Sequence, residues 1–156
     1  MRRVVVTGMG AVTPFGVGVS ALWKGLTSGD SAVRAITRFD ATQHRSRIAA
    51  EVKDFDPLAV LEKKDALRMD LFVQYAVVAA QEAMTDAGLV PLNGLSDRTG
   101  VIVGTGMGGV PKLIETYEIL QSRGAQHAVP YMMSSLIPNM AAGWISMGRN
   151  CGRSTR

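Results

Sequence analysis

Residues 2–16 read "RRVVVTGMGAVTPFG", and the fold turns on what this stretch forms. Val4–Thr7 is a β-branched run bounded by Gly8 and Gly10. Side chains branched at Cβ favour an extended backbone, so the pattern predicts a buried strand and then a sharp turn. "TGVIVGTG" at 99–106 repeats the pattern and reads as a second strand. The seventeen glycines and 6% aromatic residues fit an α/β protein with tight turns.

The rest of the chain is mostly helical in pattern. Ser20 is placed to cap a short helix through Thr27 that buries Leu22, Trp23 and Leu26, with Gly29 past its end. Residues 30–55 are mixed and polar, with Ile48–Val52 the only possible strand. In "DFDPLAVLEKKD" (54–65), Asp56 is an N-cap and Pro57 suits the first helical position, where its missing N–H costs nothing. The longest helix is expected from Ala66 to Ala87, stopped by Gly88. Asp70, Gln74, Gln81 and Thr85 form its polar stripe; Leu71, Phe72, Tyr75, Val78 and Ala79 form its apolar face. Pro111 opens a helix carrying Leu113, Ile114, Tyr117 and Leu120 on one side, which Gly124 ends. A last helix covers Met140–Met147.

Composition excludes several function classes. The 156 residues, 47% of them hydrophobic, suit one domain with a real core. The net charge of +4 invites a nucleic-acid reading. Arg149, Arg153 and Arg156 carry most of that excess, however, and residues 1–147 hold 14 basic against 13 acidic groups. The body is close to neutral and no nucleic-acid partner is expected. The opening apolar run is too short for the hydrophobic region of a secretory signal. Gly124–Gly148 carries no charged residue. Pro130, Ser134, Ser135, Pro138 and Asn139 interrupt it, so a buried or subunit-interface segment is expected rather than a membrane span. A single cysteine excludes an internal disulfide and a cysteine-rich zinc site, and fits a reducing compartment such as the cytoplasm.

"GTGMGG" satisfies G-x-G-x-x-G through Gly104, Gly106 and Gly109, between a strand and a helix. The ribose-binding acid about 20 residues on is missing. That region reads "QHAVPYMMSS". The N-terminal "GMGAVT" has Thr13 where a third glycine belongs. Glycines that let one backbone approach another explain both stretches more simply. His44, His127 and Cys151 are isolated, so no metal site is expected. There is no G-x-S-x-G nucleophile elbow either.

Four blocks in order, "RRVVVTGMGAVTPFG", "RMDLFVQYA" (68–76), "VGTGMGG" (103–109) and "IPNMAAG" (137–143), resemble the β-ketoacyl-acyl-carrier-protein synthases, most closely the type II elongating condensing enzymes. The resemblance covers residues 2–147. It implies a thiolase-like fold, layered α/β/α/β/α and built from two similar halves, of which residues 1–147 would form an incomplete N-terminal half. It implies a homodimer, acidic acyl carrier protein as partner, no cofactor, and decarboxylative Claisen condensation in fatty acid elongation. That chemistry uses a cysteine at a helix N-terminus, two histidines and a lysine.

By the same resemblance, Met107 lies beside the nucleophile as a flexible gate to the acyl tunnel. Met132 reaches across the dimer into the partner's tunnel, where the family often carries an aromatic. Lys64 and Arg68, at (i, i+4), match carrier-protein docking positions, with Leu67 replacing a base often found between them. Gln126 and His127 stand in a second region that is commonly basic. The plain readings are packing for Met107 and a solvated helix end for Lys64 and Arg68.

Cys151 does not fit the family's nucleophile, which follows a third strand in a motif of the form T-A-C-x-G. After Met147 the chain reads "GRNCGRSTR", with no strand and no apolar helix flanking the cysteine. Residues 148–156 are therefore expected to be an unrelated basic tail from a frameshift or junction. Among residues 1–156 no catalytic residue is assigned, and the chain alone is expected to be inactive. Two other classes stay open: a non-catalytic structural partner of an intact synthase, and a small nucleotide-binding module using GTGMGG.

Overall fold

The computed structural model describes residues 3–89, 98–127 and 130–148. Of the tail expected at 148–156, Gly148 is described, and residues 149–156, Cys151 among them, lie outside.

The chain first forms a tight hairpin, β1 (Val12–Thr13) against β2 (Gly16–Val17), antiparallel with Val12 opposite Val17. Helix α1 (Val19–Ser28) follows and ends at Gly29, whose φ of 76° is the left-handed stop expected of glycine. A second antiparallel pair joins β3 (Arg34–Ala35) to β4 (Ile48–Ala49). Asp56 caps a 3₁₀ turn at Pro57–Ala59 by accepting from the Leu58 N–H. Helix α2 (Lys63–Ala66) leads into α3 (Leu71–Asp86), the longest element. Helix α4 (Val110–Arg123) runs from Pro111 in its first turn to Gly124 and is followed by a 3₁₀ turn at Ala125–His127. Helices α5 (Met132–Leu136) and α6 (Met140–Gly148) complete the described chain.

The expected helix over Ala66–Ala87 is two helices. Asp70 is not on a solvated stripe: it is buried and caps α3 by accepting from the Phe72 N–H. A residue in that role has extended backbone, which ends α2 before α3 can begin. Gln74 holds the break, donating to the Ala66 and Met69 carbonyls. Asp56 likewise caps a 3₁₀ turn rather than the start of a longer helix.

The core lies where α3 crosses α6. Met69, Val73, Val77 and Ile145 are buried together, with Phe72, Trp144, Val101 and Val103 packed against them. Fully burying one such side chain is worth about 1.5–3 kcal/mol.

The two expected strands relate to that core in different ways. Val101 and Val103 turn into it, while Ile102 between them is 100% exposed. That alternation is the period of an extended chain with one face covered. Val4 is 94% exposed, and Val5 and Val6 are exposed too, so Val4–Thr7 is not the buried strand its composition predicts. Burial of a strand needs neighbours along both edges and a layer over each face. Among the described residues no strand pairs with either segment. Trp23 and Leu26, expected to be buried, are exposed too.

What seats the N-terminal segment is the glycine pair. A Cβ on Gly8 would fall 2.2 Å from the Ala83 carbonyl oxygen, and one on Gly10 would fall 1.9 Å from that of Ala79. The segment lies directly on the α3 backbone along Ala79, Ala83 and Ala87. Two carboxylates of the same helix hold it there. Asp86 accepts from the Met9 N–H at 3.0 Å, and Glu82 bridges the Ala11 and Val19 N–H groups at 2.9 and 2.8 Å. Glu82 thereby also places a negative charge at the start of α1, where the helix dipole favours it.

Candidate functional site

The glycine loop between Val103 and α4 is shaped by its last two glycines. Gly108 has φ 71°, and a Cβ there would meet the Leu136 carbonyl oxygen at 2.5 Å. A Cβ on Gly109 would sit 2.6 Å from the Ser135 carbonyl oxygen and 3.2 Å from Asp70 Oδ2. The Gly109 N–H donates to the Leu136 carbonyl at 2.9 Å. The loop is thus docked, backbone on backbone, against the C-terminal end of α5.

This arrangement bears on the nucleotide-binding alternative. A pyrophosphate on a helix N-terminus needs free N–H groups there. The Gly109 N–H is bonded to Leu136, the Val110 N–H donates to Gly108, and Pro111 has none. Close backbone approach is what glycines 108 and 109 provide. Gly104 and Gly106 have open space around them.

Met107 precedes the docked glycines and is 75% exposed. Met132 is the first residue of α5 and half-buried. The loop of one is therefore fixed to the far end of the five-residue helix that begins with the other. Ser135 is buried in that helix, its hydroxyl donating to the Tyr131 carbonyl at 2.7 Å.

Lys64 and Arg68 come together as expected, but not on one continuous helix. α2 ends at Ala66, and the chain tightens so that the Arg68 N–H reaches the Asp65 carbonyl. Both side chains line one open depression of about 550 Å³ with Lys63, Leu67 and Tyr131. The Arg68 guanidinium lies 4.6 Å from the centre of the Tyr131 ring and donates to its hydroxyl at 3.2 Å. Tyr131 directly precedes Met132, so the basic depression and the methionine helix are adjoining parts of one surface. Sequence reading missed Tyr131. Its only signal was an aromatic beside Met132, 63 residues away from Arg68.

The remaining candidates stay apart. Gln126 and His127 are exposed in the turn after α4, with His127 Nδ1 2.9 Å from the Arg123 carbonyl oxygen. His44 is exposed and packs edge-on against Phe39. Among the described residues, no three His, Cys, Asp or Glu side chains come together as a metal site, and no helix is long and apolar enough to cross a membrane.

The pattern for the β-ketoacyl synthase N-terminal domain matches residues 1–152, and the chain belongs to that family. Within it, the similarity runs to 3-oxoacyl-acyl-carrier-protein synthase 2. The chain is 43% identical to that protein of Coxiella burnetii over 146 residues, covering 94% of this chain and 35% of the relative. It is 44% identical to that of Synechocystis sp. over 142 residues, 91% of this chain and 34% of the relative. Among solved structures it is similar to "The ishigamide ketosynthase/chain length factor", with a TM-score of 0.81 and 34% identity, over 94% of this chain and 36% of that one. The fold is accordingly the thiolase-like α/β fold of ketosynthases, of which these residues cover part. The chain spans about a third of the length of the curated relatives it matches.

Proposed function

We propose that these residues belong to a condensing enzyme of fatty acid elongation, where they supply part of the acyl tunnel and a face for acyl carrier protein. In that reaction an acyl group passes from its carrier thioester to an enzyme cysteine, releasing the carrier thiol. Malonyl-carrier protein then loses CO₂, the carbanion attacks the acyl carbonyl carbon, and the cysteine thiolate leaves. Met107 would gate the tunnel beside that cysteine, and Met132 would extend into the tunnel of the second subunit of a homodimer. Lys64 and Arg68 would meet the acidic carrier. The observation that carries this reading is the continuous 43% identity to a synthase across 94% of the chain. The docked glycine loop supports it, since it fixes Met107 and Met132 on one structural unit.

The reacting cysteine, the two histidines and the lysine are not assigned to any of the 156 residues. In sequence, Cys151 stands in "GRNCGRSTR" rather than in the T-A-C-x-G context of the family's nucleophile, whose place at a helix start activates the thiol and holds it in line for attack. We read residues 148–156 as a basic tail distinct from the domain at 1–147, although the family pattern runs on to residue 152, and a cytoplasmic setting suits the single cysteine. The test is incubation of the chain with acyl-carrier protein and malonyl-carrier protein, followed by mass spectrometry. No 3-oxoacyl product and no acyl adduct on Cys151 are expected. An acylated Cys151 would overturn the assignment.

A further inference from the structure

Helix α2 sorts its charges by face. Glu62 and Asp65 line a cavity of about 230 Å³ with Val77, Trp144 and Ile145. Lys63, Lys64 and Arg68 turn the other way, around the depression with Leu67 and Tyr131. Among the described residues the one ion pair is Lys112 with Glu115, so none of the described carboxylates pairs with these three cations. Arg68 is held in place by the Tyr131 ring and hydroxyl, which orients its charge without cancelling it. Leu67 lines the same depression beside these basic residues and is 71% exposed.

We propose that Leu67 is an apolar anchor of the docking surface, and that this surface takes an acidic amphipathic helix bearing one apolar side chain within its acidic face. The proposal rests on the carrier-docking reading above and adds a requirement to it. Charge on Lys63, Lys64 and Arg68 steers the partner and sets its orientation, while covering Leu67 and the edge of Tyr131 supplies a short-range term that salt does not screen. An all-basic surface accepts any sufficiently acidic helix. A surface with an exposed leucine beside its cations penalises a helix that sets a carboxylate there, because that charge would be desolvated without a partner. Leu67 therefore selects among acidic partners.

The experiment measures binding of an unacylated type II acyl carrier protein to the 156-residue chain across a salt series. The variants are Leu67→Ala, Leu67→Lys, Lys63→Gln with Lys64→Gln, and Leu58→Ala as an exposed leucine outside the depression. Leu67→Ala should weaken binding about five- to tenfold, the loss expected when one apolar contact is removed, with an unchanged salt slope. The double lysine variant should weaken it with a shallower slope, and Leu58→Ala should leave it unchanged. Tryptophan fluorescence confirms that each variant keeps the native fold. Binding by Leu67→Lys equal to or tighter than native would remove the anchor and leave carrier docking intact as pure electrostatics. No binding by the native chain at any salt would overturn the docking reading and the anchor together.

Discussion

Replacing Gly10 by alanine should unseat the N-terminal segment. The new Cβ would lie 1.9 Å from the Ala79 carbonyl oxygen and 2.8 Å from the Ala83 nitrogen, against 3.4 Å for ordinary contact. Helix α3 cannot give way, because Val73, Val77 and Val78 are buried elsewhere along it. The segment must lift by about 1.5 Å, on the scale at which overpacked sites cost about 1–3 kcal/mol. That movement takes the Ala11 N–H beyond reach of Glu82, now 2.9 Å away. A hydrogen bond to a charged group is worth about 1.5–3 kcal/mol, so the whole change should cost about 2.5–6 kcal/mol. Urea unfolding of micromolar protein, followed by tryptophan fluorescence, reads this out. With a slope of about 2 kcal/mol/M, the midpoint should fall by about 1–3 M. Gly104→Ala is the control: nothing lies within 4 Å of that position, and its stability should stay within about 0.5 kcal/mol of native. Equal midpoints for the two variants would show that Gly10 does not lie against α3 as described.

Glu82→Ala removes the acceptor shared by Ala11 and Val19 and should destabilise the chain by about 2–3 kcal/mol in the same assay, with α1 and the hairpin losing amide protection together. Glu51 should titrate below the usual glutamate range, because the Thr37 hydroxyl donates to its carboxylate and the Thr37 and Arg38 N–H groups add to the effect. With the folded pKa depressed, its stabilising contribution is present above the unfolded value and is lost as pH falls through the folded one. Glu51→Gln should therefore flatten the acid limb of the stability curve, and carboxyl NMR should show the low titration directly. Ile102→Lys and Val5→Lys should each raise the fraction that stays monomeric in sedimentation, since both place charge on exposed apolar chain that no strand among the described residues pairs with.

Local signals carried the helix ends. Gly29 and Gly124 stop α1 and α4, and Pro111 opens α4, because each acts through its own backbone geometry. Asp70 was legible as a cap from its place before an apolar run, but the run of good helix formers ahead of it, from Lys63, masks the break. The burial expected of Val4–Thr7 failed for a different reason. A β-branched run reports a preference for extended backbone, whereas burial depends on what other strands and helices cover it. Gly8 and Gly10 carry their meaning only once Ala79 and Ala83 are seen beneath them. The site divides the same way. Met107, Met132, Lys64 and Arg68 were named through family resemblance, while the Tyr131 contact that joins the depression to α5 spans 63 residues and leaves no trace in either local stretch.

The seat of the N-terminal segment also sets a timetable. Met9 is held by Asp86, 77 residues later, and Ala11 by Glu82, 71 residues later. At about 5–20 residues per second, a ribosome needs about 4–15 seconds to supply those carboxylates after the valine run is made. Throughout that interval Gly8 and Gly10 have nothing to rest on, and α3 must itself be helical before Ala79 and Ala83 present a surface. Residues 8–11 are thus made long before the helix that seats them and settle late, which makes them a segment in need of a chaperone's cover.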